Sequence, residues 1–452
     1  MKFIPYFLAV IIFAVFNFMI GYDIYSSAGL SIFTYWISRL LVFSVNYLPI
    51  KELFFSLHSL QYLFSPAFMY NGLEDYTRYK MIVPVEHYFS FAIPVLIIFS
   101  LGFRVFFNPN SLKVSRYKID LWINSNPNIP YYFIVIGFIA PIFYFILPKS
   151  LNFVVYIADS LKFIGLFILI SSSSKPKIGL ILFTFSGVFI SAFSAGMFHD
   201  LLTWIIMLGL IINYRYNPTF LLKMSGVMAF VIFAMFIQFV KDDLRSRIWG
   251  DQGEEISIDL IKTTSASAEG NKGGFFALES LGPSVNRLNQ GWVLSSALNH
   301  VPHNIDHSNG LLIKEYLIAA IMPRFLFPDK LGGGETKYFD LYSGHNAGEN
   351  TVMVLGIPTE AYIEFAGLGA FFYIFIFGMV YGWFLKVYAE NSDNYPILSI
   401  FTILVFIYPM RPDCDTQTSL GHLVKSSILL YLFINFYKSK FNISFLRKAH
   451  AI

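Results

Sequence analysis

Long apolar runs alternate with short polar breaks along most of this chain. Crossing a bilayer takes about 17–25 apolar residues. Runs of that kind fall near 4–21, 30–49, 52–70, 85–107, 131–147, 154–172, 178–197, 200–213, 224–240, 364–386, 396–410 and 421–437. They predict about twelve spanning helices. The runs at 200–213 and 396–410 are short, and 52–70 carries His58 and Pro66, which predicts a kinked or re-entrant segment. The pattern breaks once, over 241–350, where a long polar stretch rich in Arg, His and Glu replaces it. Within that stretch 250–274 reads as flexible, 311–322 as a helix stopped by Pro323, 332–334 as a glycine hinge and 351–363 as a helix leading into the next span. The organisation expected is an N-terminal transmembrane bundle (1–240), a loop with short helices (241–363), and C-terminal transmembrane helices with a tail (364–452).

Composition agrees. Of 452 residues, 56% are hydrophobic and 13% charged, half the charged share of a soluble domain. The mean hydropathy is +0.59. The fold class is therefore an all-α polytopic membrane protein. A net charge of +4, spread over short loops, gives no nucleic-acid surface. The single cysteine, Cys414, allows neither an intramolecular disulfide nor a thiolate metal site. Residues 3–20 follow Met1-Lys2 without a small-residue cleavage site and read as a retained first helix.

Charge orients the chain. With Met1 cytoplasmic, the basic loops of Arg104, Lys113, Arg116 and Lys118, of Lys175 and Lys177, and of Arg215 and Lys223 all face the cytoplasm. The tail with Lys438, Lys440, Arg447 and Lys448 does too, so both termini are cytoplasmic. An odd number of spans then places 241–350 outside, which in a bacterium with two membranes is the periplasm.

Several charged residues are candidates for chemistry. Arg245 and Arg247 close the ninth span, in Lys241-Asp-Asp-Leu-Arg-Ser-Arg247. They fit interface anchoring, or recognition of a diphosphate by their planar donor forks. Arg324 sits between Pro323 and Pro328, and Arg411 in a late outer loop with Asp413 and Asp415. His345, in Gly344-His-Asn346, has the side chain to accept a hydroxyl proton near neutral pH, or to pack in a loop. Glu360 and Glu364 share a helical face at the lip of a span, as functional acids or as ion-pair partners of a loop Arg. His300, His303 and His307 have spacing that zinc uses, but Pro302 and Gly310 interrupt any regular helix there, so no metal is expected. Inside the spans, Asp159 and Lys162 are placed to neutralise each other, and Arg39 to pair with another span or a lipid phosphate. No nucleotide-binding loop or Ser-His-Asp order is present, and no cofactor is expected.

Three segments carry a resemblance. Ile321-Met-Pro-Arg-Phe-Leu-Phe-Pro-Asp-Lys330, Gly344-His-Asn346 and Glu360-Ala-Tyr-Ile-Glu-Phe-Ala-Gly-Leu-Gly369 are similar to segments of the O-antigen polymerases of the Wzy type, and more distantly of the O-antigen ligases. The likeness extends to the whole topology. It implies a multispan, GT-C-like glycosyltransferase of the bacterial inner membrane. Such an enzyme joins undecaprenyl-diphosphate-linked oligosaccharide repeats at the periplasmic face without a metal, in lipopolysaccharide biosynthesis, with membrane lipids and a chain-length regulator as partners. On that reading Arg245, Arg247, Arg324 and Arg411 bind diphosphate, and His345 or Glu360 is the base. One departure stands out. Where many members carry a Gly-x-Arg-like turn, this chain reads Ser194-Ala-Gly-Met-Phe-His-Asp200, with no Arg, so no phosphate role carries over to that turn and a role for His199 stays open. The alternatives are ligation of the glycan to lipid A core, and flipping of the lipid-linked glycan.

Overall fold

The computed structural model describes residues 3–43, 48–73, 79–107, 115–172, 178–195, 197–249, 282, 285–322, 326–327, 329–332, 336–348 and 352–441. The expected flexible run 250–274, Arg324, Gly333 and Gly334 lie outside them. All regular structure among the described residues is helical. In chain order the helices are α1 (Ile4–Ala14), α2 (Ile24–Phe43), α3 (Ile50–Ser59), α4 (Ser65–Phe68), α5 (Val85–Phe106), α6 (Arg116–Ser125), α7 (Ile129–Ile139), α8 (Asn152–Ser171), α9 (Ile178–Ala195), α10 (His199–Tyr216) and α11 (Phe220–Trp249). Then follow α12 (Gly291–His300), α13 (Leu311–Ile321), α14 (Lys337–Ser343), α15 (Ile357–Glu364), α16 (Leu368–Asn391), α17 (Leu398–Phe406) and α18 (Thr416–Phe441).

Five helices among the described residues are long and apolar enough to cross a membrane: Val85–Phe106, Lys149–Ser171, Phe220–Lys241, Leu368–Asn391 and Thr416–Phe436. The pair α6 and Ile129–Tyr144, bent by 80°, makes a sixth if taken as one span. Among the described residues the protein is all-helical, with five to six candidate membrane crossings, as expected of a membrane protein. The segment expected to kink, 52–70, carries π-helical turns at Leu60–Phe64 and Met69–Leu73 on either side of α4, and the backbone leaves the helical region at Asn71 and Gly72, just past its end.

Close packing at glycine ties the bundle together. α5 and α16 run side by side and parallel. A Cβ at Gly102 would lie 2.3 Å from the Phe375 carbonyl, and Cβ atoms at Gly378 and Gly382 would each lie 2.5 Å from the carbonyls of Phe99 and Phe103. Gly378 and Gly382 form a Gly-x-x-x-Gly pair, the spacing that lets two helix backbones touch within lipid. Asp159 and Lys162 form an ion pair within α8, as their spacing predicts.

The bundle has two chemically distinct ends. At one, Lys118 Nζ meets Asp393 Oδ1 at 2.7 Å, Lys223 Nζ donates to the Leu41 carbonyl at 3.0 Å, and Arg116 donates to the Tyr214 carbonyl. At the other, the short helices α12 to α15 roof the bundle. Ser295 Oγ accepts the Ile82 and Val83 amides there, and Gln290 Nε2 donates to the Val354 carbonyl.

Candidate functional site

The roof is organised by α15. Gly356 precedes it at φ +80, a left-handed conformation that glycine tolerates. A Cβ there would also lie 2.3 Å from the Tyr62 hydroxyl. Pro358 sits in the first turn, where a missing N–H costs nothing. One face of this helix carries Glu360 and Glu364, both with no solvent exposure.

Among the described residues neither glutamate pairs with an arginine. Each instead caps a helix N-terminus. Glu360 accepts the Thr416 amide at 3.1 and 3.3 Å, at the start of α18. Glu364 accepts Ser308 Oγ at 2.6 Å, the Gly310 amide at 2.8 Å and the Ile313 amide, at the start of α13. The free N–H groups and the positive end of a helix dipole favour a carboxylate at that point. Burial raises the Glu360 carboxyl well above its ordinary range, and the charge of Asp415 adds to this. Asp415, itself raised by burial, accepts the Thr418 amide at 2.7 Å at the same helix end. Two carboxyl groups therefore share one helix terminus.

His345 occupies a different setting. It borders a cavity of about 430 Å³ lined also by Tyr79, Lys80, Trp292, Phe339 and Asn346. Its Nε2 lies 3.1 Å from Ser296 Oγ, while Ser296 Oγ donates to the Trp292 carbonyl at 2.8 Å. The only hydroxyl proton of Ser296 is spent on that carbonyl, so Ser296 accepts from Nε2–H. The tautomer this selects leaves the lone pair on Nδ1. The loop is held by Ser343 Oγ, which accepts the His345 amide at 3.2 Å, and by Asp340, which accepts the Ala347 amide at 2.9 Å. Trp292 stacks on Tyr79 at 4.3 Å and meets the His345 ring at 5.4 Å.

The third constellation surrounds Arg411. Its guanidinium grips Asp413 through two bonds, Nη2 to Oδ2 at 3.1 Å and Nε to Oδ1 at 3.3 Å, and lies over the Tyr408 ring. Arg411, Asp413, Asp200 and Arg287 all act electrostatically on His199. The surrounding protein and Arg411 lower the basicity of His199 even though its ring is exposed. Arg411 depresses Asp413 below its ordinary value against the opposing pull of burial.

The described candidates take separate hydrogen-bond partners. Glu360 serves a helix end, His345 borders a cavity and Arg411 is bound to Asp413. The backbone of Arg245 and Arg247 lies in α11, and their side chains, like all of Arg324, lie outside what is described. His300 and His307 take separate partners: His300 Nδ1 meets Asn304 Nδ2 at 2.9 Å, and His307 Nδ1 the Tyr362 carbonyl at 3.0 Å. Among the described residues no group of His, Cys, Asp and Glu could hold a metal ion. Two participants were missed: Arg287, which no local motif marks, and Ser296, which matters only through its tertiary contact with His345.

A model of a domain of unknown function, DUF8712, matches residues 35–407. The match covers most of the chain, which belongs to that family. No curated protein and no solved structure matches it.

Proposed function

We propose that this protein is a membrane glycosyltransferase that polymerises undecaprenyl-diphosphate-linked oligosaccharide repeats at the outer face of a bacterial inner membrane. The observation that carries the reading is the group of charges around Arg411. Arg411, Arg287 and His199 come from three distant parts of the chain and gather at the roofed end of an apolar bundle. A lipid diphosphate would present its oxygens at that depth. Asp413 fixes the guanidinium and leaves the rest of the fork for phosphate oxygens.

In this reaction the acceptor hydroxyl attacks the anomeric carbon of the donor glycan. The bond from that carbon to the diphosphate oxygen breaks, and a glycosidic bond forms. Undecaprenyl diphosphate leaves with the bonding pair, and the acceptor proton goes to a base. Cations beside the leaving oxygens stabilise the charge that develops there. His345 Nδ1, freed by the Ser296 bond, is one candidate base, and Glu360 the other. The topology proposed with this function has about twelve crossings, counting the shorter apolar helices and the bent segments. The end with Lys118 and Lys223 is then cytoplasmic by the positive-inside rule.

A deletion strain tests the reading through the length of its surface glycan. Single repeats on lipid A core, restored to long chains by the wild-type gene, are the expected result. Undecaprenyl-linked chains of full length without transfer to core would make the protein a ligase. Repeats trapped on the cytoplasmic side would make it a flippase.

A further inference from the structure

The opposite end of the bundle holds a charge imbalance that the proposed reaction does not use. Arg39 on α2, Lys51 on α3, Arg104 on α5 and Lys223 on α11 gather there. Among the described residues the carboxylate drawn into this group is that of Glu52. It has no exposure, and its Oε1 lies 3.2 Å from Arg39 Nη2. Lys51 is 2% exposed. Its ammonium lies 6.0 Å from the centre of the Phe103 ring, and no hydrogen-bond acceptor accompanies it among the described residues. Arg39 and Arg104 both repel it. Burial and the nearby arginines disfavour the charged form of Lys51, and an anion placed between these groups would restore it.

The surroundings say which anion. Arg104 is exposed, and so are its neighbours Leu101, Val105 and Phe106. On α1, Tyr6 lies in the field of Arg104, beside exposed Phe7 and Val10. The cations therefore open onto a greasy flank and not onto bulk water. Glu52 Oε2 is buried without a donor, a place for a hydroxyl of the ligand.

We propose that the cleft between α1, α2, α3 and α5 binds the phosphodiester headgroup of an anionic phospholipid such as phosphatidylglycerol. The phosphate lies between Lys51 and Arg104, and the acyl chains run along α1 and α5. Basic pockets between helices near a membrane surface are suited to this, and each cation near the surface adds about 1 kcal/mol. Losing two would weaken retention roughly thirty-fold.

The test uses the purified full-length chain. Bound lipid is counted by native mass spectrometry after stepwise delipidation. Thermal midpoints are compared in phosphatidylcholine and in an equimolar mixture with phosphatidylglycerol. The wild type should keep phosphatidylglycerol after other lipids have left, and melt higher in the mixture. Lys51→Met combined with Arg104→Gln should lose both effects, and the exposed Arg104→Gln alone should lose part of them. Lys118→Gln, at the same end but paired with Asp393, should lose neither. Retention by the double variant at wild-type level overturns the proposal, as does equal stabilisation by phosphatidylcholine. The same upward shift with inorganic phosphate would make the site one for a free anion and refute the lipid.

Discussion

Replacing Glu360 separates two roles that its position allows. Its carboxylate accepts one amide, that of Thr416, through both oxygens, in a site with no exposure. Glu360→Ala strands that N–H in a dry interior, at about 1–3 kcal/mol. It also removes one buried methylene, worth about 0.8 kcal/mol. A loss of about 2–4 kcal/mol follows. Glu360→Gln keeps a carbonyl oxygen for Thr416 and sheds a charge that burial and Asp415 disfavour, so it should fold as well as the wild type. The pH dependence has a definite sign. A carboxyl whose folded pKa is raised binds its proton more tightly when folded. Its contribution is complete below the unfolded value of about 4.3 and is lost as pH rises through the folded value. The wild type should therefore lose stability as pH climbs above the ordinary carboxyl range. Glu360→Gln should flatten that slope in part, since Asp415 contributes with the same sign. Thermal midpoints in detergent across neutral pH measure it. If Glu360 is also the base, the Gln variant folds yet loses about 10²–10⁴-fold in polymerisation rate. A Gln variant less stable than the Ala variant would refute the capping argument. Full-length polymer from it would remove Glu360 as the base.

His345→Ala should leave stability nearly unchanged and polymerisation down by about 10²-fold or more, read on purified lipid-linked repeats; wild-type turnover would return the base to Glu360. Ser296→Ala should release the tautomer, giving a smaller rate loss and a shifted pH–rate profile. Arg411→Ala should cost about ten-fold or more in rate, one charge-assisted contact at roughly 1.5–3 kcal/mol, and Arg411→Lys should recover part of it, because the fork to Asp413 is lost. Gly382→Leu should destabilise by about 1–3 kcal/mol through overpacking against the Phe103 carbonyl, whereas Gly226→Leu, with open space around it, should be silent. A cysteine placed at Ser265 should react with an impermeant maleimide from outside, over a low background because Cys414 is buried; reaction only after permeabilisation would invert the topology.

The apolar pattern was enough to locate most long helices, because each must satisfy its own backbone in lipid. It was poorer at their ends. The run at 30–49 belongs to a helix that begins at Ile24, where Asp23 accepts the Tyr25 and Ser26 amides at 2.9 Å. That cap was readable from residue type. The run at 224–240 continues to Trp249, because Lys241 to Arg247 are polar without being helix breakers and hydropathy alone ends the helix too soon. The i,i+4 spacing of Glu360 and Glu364 was legible, but its use was not. The helix ends they cap are reached only through contacts about fifty residues away in sequence. The Ser296 bond that sets the His345 tautomer is equally non-local.

These links give α15 a place at the centre of the roof. α16 follows it directly, and the glycine contacts hold α16 against α5. That fixes the height of α15 above the bundle. Its two glutamates then hold the starts of α13 and α18, which pack along each other, with Gly421 against Ala320. The segment just before α18 carries Arg411 and Asp413. The position of Arg411 therefore depends on the Glu360 cap, although the cap itself faces α18. An activity loss in a Glu360 variant has two possible origins, chemistry or displacement of Arg411. Glu360→Gln keeps the cap and isolates the first. Thr416→Pro keeps the Glu360 side chain but removes the capped N–H, at a helix start where proline is tolerated, together with the hydroxyl bond to Tyr373, and so probes the second.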